Sequence, residues 1–359
     1  MSSCMASIPQ PADSFAKMFY YVRIISHREN GRENGLMAKT MIVSILILVY
    51  FLVPQAHGEE TRGGLVMAFD DGYPSWNTII APELHKAGGT ATGFVNNQRI
   101  HAGHLRFSDL RDLQNRYGWE IGTHTYHHFH APDFIKRKGV EAWTKEELDA
   151  SLNELATEGL KVQSLAFPFN DSNETVEKTV MKKARNFRRY RMFPMFDYKV
   201  RDGSYPAAPF EIGNYVPIEL VIQWIDFARQ QNRFVFLYGH KVLPDEEFIT
   251  GEVASVSGNN ISFGKTTGSV KKDVELCIAP DSRRRIVGPP IRVLSIENEA
   301  VAVSRSDMQN LTKAGATFII GECYGIQVSY FRKLINYAAG KVPFYTVSQA
   351  LEKVYSSQR

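Results

Sequence analysis

Seven of the ten histidines of this 359-residue chain fall between His85 and His130, and only His240 occurs in the 229 residues that follow. Within the cluster, His124 and His128 stand four residues apart in Gly122-Thr123-His124-Thr125-Tyr126-His127-His128-Phe129-His130. Two imidazoles at that spacing reach one metal ion if the residues between them make a helical turn. A second segment, Ala68-Phe69-Asp70-Asp71-Gly72, ends an apolar stretch with two adjacent carboxylates and a glycine. A sharp turn there points one acid at a metal and the other at a water beside it. Each segment alone also reads as an ordinary polar loop. Together they supply two imidazoles and a carboxylate, the donor set of a catalytic metal centre that keeps positions open for water and substrate.

Both segments must be carried on strand ends. Short β-type runs at Leu65–Phe69, Thr90–Val95, Trp119–Gly122, Ser164–Phe167 and Phe234–Tyr238 alternate with helix-type stretches at 76–87, 108–117, 145–160, 174–185 and 217–231. Alternation of this kind predicts βα units around a parallel sheet or barrel. Thr144 with Glu147 three residues later reads as a capping box, and Pro217 suits a first helical position. From Ile249 to about Ile320 the chain is rich in Val, Ile, Ser, Thr and Gly, with turn pairs Gly258-Asn259 and Gly288-Pro289, and predicts a small β-rich insertion. Helical texture returns at 329–339, followed by a strand-like 343–347 and a last helix over 348–355.

On these residues the sequence resembles the polysaccharide deacetylases of the NodB-homology type, carbohydrate esterase family 4. The family's Thr-Phe-Asp-Asp-Gly corresponds to Ala68–Gly72, and its His-Ser/Thr-x-x-His to His124–His128. Ala166-Phe167-Pro168-Phe169-Asn170 is similar to the Ala-Tyr-Pro-Tyr-Gly form of the third motif, without the arginine that other members carry to hold and tune the base. Phe236-Leu237-Tyr238-Gly239-His240 corresponds to the last motif, an apolar strand ending in histidine. The resemblance covers about 62–241, skips the insertion and resumes near Tyr324.

The resemblance implies an α/β fold, a distorted (β/α) barrel of the polysaccharide deacetylase type. It implies Asp70 as general base, Asp71, His124 and His128 as metal ligands, a Phe169 backbone N–H for the oxyanion, and His240 as general acid. Zn²⁺ suits the donor set, and Co²⁺, Mn²⁺, Fe²⁺ or Ni²⁺ can occupy it. The partner implied is an acetylated polysaccharide or oligosaccharide, N-acetylated like peptidoglycan or chitin, or O-acetylated like xylan. Tyr73, Trp76, Tyr126 and Tyr238 lie near the motifs and are candidates for stacking on sugar rings, with core packing the alternative for Trp76. His127 and His130 fall outside the motif, as bystanders or substrate contacts. Two other readings stand beside this one: a same-fold metal hydrolase of a small cyclic amide, and a non-catalytic glycan-binding protein.

Composition sets the compartment. The run Met41–Val53, MIVSILILVYFLV, is uncharged and apolar over 13 residues. That is short of the about 20 residues of a membrane span and suits a signal-peptide core, with Lys39 before it and Ala56-His57-Gly58 after it. The organisation expected is therefore 1–36 as an upstream extension or leader, 37–58 as a signal peptide, 59–244 with 322–359 as the deacetylase domain, and 245–321 as the insertion. The protein is expected to be secreted or periplasmic, or membrane-anchored if 41–53 is retained. Five of the 42 basic and three of the 38 acidic residues precede residue 59, leaving 37 against 35. That near-neutrality argues against nucleic acid as a partner. Cys277 and Cys323 are compatible with one disulfide or with two free thiols. The sequence does not fix the oligomeric state.

Overall fold

The computed structural model describes residues 63–189, 205–207, 210–214, 216–266, 275–279, 291–297, 300–304, 317–321 and 324–356. The leader and signal segments at 1–58 lie outside these residues, and so does Cys323 of the bridge considered above. Among the described residues no helix is long and apolar enough to cross a membrane.

The central strand is β1 (Gly64–Asp70), buried at every position. A strand covered on both faces reads as a continuous apolar run, and Leu65 to Phe69 is one. One edge of β1 pairs in parallel along its length with β8 (Phe234–Gly239), Ala68 opposite Tyr238. The other edge is shared: β2 (Thr92–Val95) takes the C-terminal half, Asp70 opposite Phe94. There β17 (Phe344–Tyr345) takes the N-terminal half, Leu65 opposite Phe344. Beyond β2 follow β3 (Glu120–Thr123), β4 (Val162–Ala166), β5 (Asn186–Arg188) and β6 (Tyr205–Ala207). The short β7 (Phe210–Glu211) lies outside β8, so the path of this parallel sheet runs β6-β5-β4-β3-β2-β1-β8-β7.

Successive side chains point to opposite faces of a strand. Leu65, Met67 and Phe69 enter one core with Trp76, Trp119 and helices 218–230 and 328–338. Val66 and Ala68 face the other way, toward Phe94, Ala166, Tyr238 and the helix Val347–Ser356. Asp70 shares the second parity. Two glycines permit close approach: a Cβ on Gly93 would lie 2.5 Å from the Trp76 ring, and one on Gly122 would lie 2.6 Å from the Phe94 ring.

The sheet is strongly curled, and one contact requires it. Arg188 on β5 is four strands from β1, about 19 Å across a flat sheet, beyond the reach of a side chain. Its guanidinium nevertheless grips Asp70, with Nη1 2.7 Å from Oδ1. The curl gives the sheet the open, barrel-like wall that the resemblance implies.

The strand β9 (Lys241–Leu243) leads out of this layer and pairs in parallel with β16 (Gly325–Gln327). Between them six antiparallel strands close a separate barrel. These are β10 (Phe248–Ser257), β11 (Asn260–Thr266), β12 (Glu275–Ala279), β13 (Ile291–Glu297), β14 (Ala300–Val303) and β15 (Thr317–Gly321). They are ordered β10-β11-β14-β13-β12-β15. On the return, Glu120 accepts hydrogen bonds from the Ser348 N–H and hydroxyl and from the Thr92 and Ser164 hydroxyls, fastening the last helix to the sheet.

One local expectation fails. Thr144 does not cap a helix, because the helical path already begins at Val140–Trp143, and its hydroxyl donates to the Val140 carbonyl at 2.8 Å. Pro217 is the residue before Ile218–Gln230 rather than inside it.

Candidate active site

The turn after β1 separates the two carboxylates. Asp71 and Gly72 both have φ of 80°, the left-handed region that reverses the chain within two residues. The Asp71 N–H donates to the Phe94 carbonyl at 2.9 Å and fixes the turn on β2.

Asp70 continues the parity of Val66 and Ala68 into the curl and is 2% exposed. Arg188 donates to both of its oxygens. Burial pushes the Asp70 pKa up, but nearby positive charge, that of Arg188 first, together with the Arg188 hydrogen bonds outweighs it, so the carboxyl stays below its ordinary value. Arg188, 1% exposed, also lies over two rings, its Cζ 4.5 Å from the centroid of Tyr238 and 5.1 Å from that of Phe94. An arginine thus holds the acid, delivered from a strand end rather than from the third motif. Nothing in the sequence around Asn186-Phe187-Arg188 marks it, because Lys182, Lys183, Arg185 and Arg189 surround it with other cations.

Asp71 is the opposite case. Its Oδ1 is buried and has no hydrogen-bond partner among the described residues. Arg99 approaches the other oxygen at 3.4 Å, and His128 Nε2 and His124 Nε2 lie 3.5 and 3.9 Å from Oδ1. The three residues each offer a ligand atom within 4.8 Å of the others.

The two histidines converge without the helical turn that their spacing suggests. Thr125 and His128 take φ of 65° and 64°, and the segment is a tight irregular bend. Thr123 and Thr125 hydroxyls accept the Thr125 and His128 N–H groups, satisfying the backbone inside the bend. Glu147, fully buried, pins its outer side: its carboxylate accepts from the His127 N–H at 3.0 Å and meets His127 Nδ1 at 2.7 Å. His124 Nδ1 lies 2.8 Å from the Ala166 carbonyl, which makes Nδ1 the protonated nitrogen and leaves the Nε2 lone pair for a metal. Burial lowers the His124 pKa against the pull of Asp70 and Asp71. Burial, and then the neighbouring His124, lower that of His128 to about 4. Neutral imidazoles are the ligating form. The orphaned Asp71 oxygen and two neutral imidazoles whose Nε2 atoms lie 3.2 Å apart fit a divalent metal.

His240 follows β8, and its carbonyl accepts the Trp76 indole N–H at 2.8 Å. Trp76 is fully buried and packs in the core. His240 Nδ1 is 3.6 Å from Glu211 Oε1, near enough for charge attraction. Tyr238 is 7% exposed, so it does not face a sugar: it lies inside the curl under Arg188, because its register partner is Ala68. Burial and the Glu211 carboxylate, to which its hydroxyl donates, raise its pKa well above the ordinary value. Phe169, 63% exposed at φ 59°, puts its ring 4.9 Å from His128. Tyr73 is half-buried, and its hydroxyl accepts from Arg99 at 2.7 Å. Tyr126 is half-buried against the His127 and His101 rings. His130 is held between Asp133 and Asp171, each at 2.8 Å. Asp70, Asp71, His124, His128 and Phe169 therefore meet at one end of the sheet. Arg188, Glu211, Arg99 and Glu147 support the site and are not marked by any motif.

Paired carboxylates, an Asp-His-His cluster that could hold a metal ion and a histidine on a neighbouring strand end thus stand together on an α/β sheet. Residues 57–187 match the family model described as polysaccharide deacetylase. The family match thus applies to that segment of the chain. No curated protein matches it. Among solved structures it is similar to a family 4 carbohydrate esterase from Streptomyces lividans in complex with acetate, at 17% identity and a TM-score of 0.34, over 50% of this chain and 79% of that one. It is also similar to the peptidoglycan deacetylase PdaC from Bacillus subtilis, at 11% identity and 0.40, over 83% and 95%. A third is a carbohydrate esterase family 4 pseudoenzyme from Bacillus anthracis, at 12% identity and 0.34, over 49% and 54%.

Proposed function

We propose that this protein is a metal-dependent deacetylase that hydrolyses N-acetyl or O-acetyl groups of an extracytoplasmic polysaccharide. The observation that carries the reading is the contrast within one turn: Asp70 is held ionised by Arg188, while Asp71 keeps a buried oxygen without a partner beside two neutral imidazoles. Asp71, His124 and His128 would hold a divalent metal, Zn²⁺ first among the ions that suit this set. That ion, when bound, supplies the charge that acidifies water and polarises the acetyl carbonyl.

The chain's own groups do the rest. Asp70 accepts a proton from the attacking water, whose oxygen bonds to the carbonyl carbon. The Phe169 N–H donates to the oxygen that gains negative charge. His240, protonated, gives its proton to the departing amine or alcohol as the bond to carbon breaks, releasing acetate. Glu211 stabilises that imidazolium. The exposed Phe169 ring walls the groove, and Tyr126 flanks it. The apolar run at 41–53 supports an exported protein.

The test is acetate release by the metal-loaded protein from acetylated chito-oligosaccharides and acetylated xylan. Release that disappears on chelation and in Asp70→Asn and His240→Ala proteins is the expected result. A metal-loaded protein that binds these glycans and releases nothing would instead be a glycan-binding protein. One that hydrolyses only small cyclic amides would belong to the other class.

A further inference from the structure

We infer that Asn170 is a positioning residue that ties the group taking a proton to the group giving one. This inference rests on the deacetylase reading above. Asn170 stands where the related motif has glycine, and its φ of 53° is in the left-handed region that glycine and asparagine adopt most readily. Glycine would satisfy that backbone. The side chain therefore has a use of its own, and it is 9% exposed with both ends engaged.

Its Oδ1 accepts from Arg188 Nε at 3.1 Å, and its Nδ2 donates to the Tyr238 hydroxyl at 2.9 Å. The first bond fixes the third corner of a guanidinium whose other two nitrogens hold Asp70, so the plane of Arg188 cannot turn. The second fixes a proton direction. A hydroxyl that accepts from Nδ2 turns its own hydrogen elsewhere, and the Tyr238 hydrogen goes to Glu211. Glu211 Oε1 in turn lies 3.6 Å from His240 Nδ1. The amide orientation admits no swap, since a flipped amide would aim its NH₂ at a cation. One chain thus runs Asp70, Arg188, Asn170, Tyr238, Glu211, His240, and Asn170 supplies the hydrogen-bonded link between its two halves, beside the stacking of Arg188 on the Tyr238 ring. Removing it leaves Arg188 and Tyr238 each one partner short in a site where an unmade hydrogen bond to a charged group is costly.

Asn170→Gly is the decisive variant, because the backbone conformation is retained. Its kcat for acetate release is expected to fall about 10- to 100-fold, the equivalent of one charge-assisted hydrogen bond, with KM within about twofold and metal content unchanged. Asn170→Asp keeps an acceptor for Arg188 and loses the donor to Tyr238, and should recover only part of kcat. In an Arg188→Met background, Asn170→Gly should cost little more. A readout independent of catalysis is the ring ¹⁵N signature of His240, assigned with His240→Gln: it should change in Asn170→Gly although Asn170 does not touch that ring. Unchanged kcat, full additivity with Arg188→Met, or an unchanged His240 signature would each overturn the inference. If the parent protein releases no acetate, the deacetylase reading fails and the His240 signature still decides this one.

Discussion

The pocket around Asp70 and the bend that carries His124 and His128 face each other across one turn and are built on different principles. The pocket is made of strand ends: β1, β5 and β8 bring Asp70, Arg188 and Tyr238 together through sheet register and curl. The bend is made of irregular chain with two left-handed residues, held by hydroxyls and by one buried carboxylate. In the pocket the protein satisfies its own charge. At the bend it leaves Asp71 Oδ1 unsatisfied and both imidazoles neutral. The difference separates the two tasks proposed for adjacent residues: Asp70 has its partner cation within the protein, whereas Asp71 keeps an oxygen that a bound metal would complete.

The sharpest test of that separation is to compare the two aspartates. Asp70→Asn should lower kcat/KM for acetate release by about 10²- to 10⁴-fold and leave metal content, measured by elemental analysis, unchanged. Asp71→Asn should lose activity and metal together. Next in size is the cost of breaking the pocket from the other side. Arg188→Met leaves Asp70 buried and unpaired and should destabilise the fold by about 3–5 kcal/mol in chemical unfolding. Adding Asp70→Asn should recover most of that loss.

A third test uses pH on metal-free protein. The folded pKa of His128 is about 4 against 6.5 in its ordinary state. Below pH 6.5 the unfolded chain takes up a proton that the folded site refuses, so stability declines as pH falls from 6.5 and levels off near 4, by up to about 3 kcal/mol. His128→Gln should remove that part of the profile. Asp70 has the same sign in a lower window: with its folded pKa depressed, its contribution is present above the ordinary carboxylate range and lost as pH falls through the folded value. The smallest expected effect is on the outer pin of the bend: Glu147→Gln should weaken metal affinity about tenfold by loosening His127, read by competition with a chelating dye.

What could be read from sequence follows the same division. Asp71 directly follows one strand end, and His124 and His128 follow another at a spacing of four, so their types and local patterns announce them. The two halves of the catalytic sheet were legible for a related reason: fully buried parallel strands are apolar runs, and β1 is one. Arg188 and Glu211 were not, because each reaches the site through curl and register across many residues. Tyr238 lies beside a motif, which suggests a sugar contact, but strand parity puts it opposite Ala68 and inside the curl. Thr144 matched a capping pattern, yet a helix that begins upstream leaves it no orphan N–H to cap.

The shared edge of β1 has a consequence for how the molecule is made. Leu65 and Val66 wait for Phe344 and Tyr345, roughly 280 residues later, and the Glu120 clasp waits for Ser348. At ordinary rates of synthesis that interval is on the order of 15–60 s. Throughout it, half of one edge of the most apolar strand stands open on the ribosome, a template for pairing with the wrong chain. The antiparallel barrel emerges within the same interval. Folded first, it would bring β9 and β16 side by side and shorten the loop that the last strand must close. The inserted barrel would then govern how fast nascent chains escape aggregation, apart from anything it does for the finished protein.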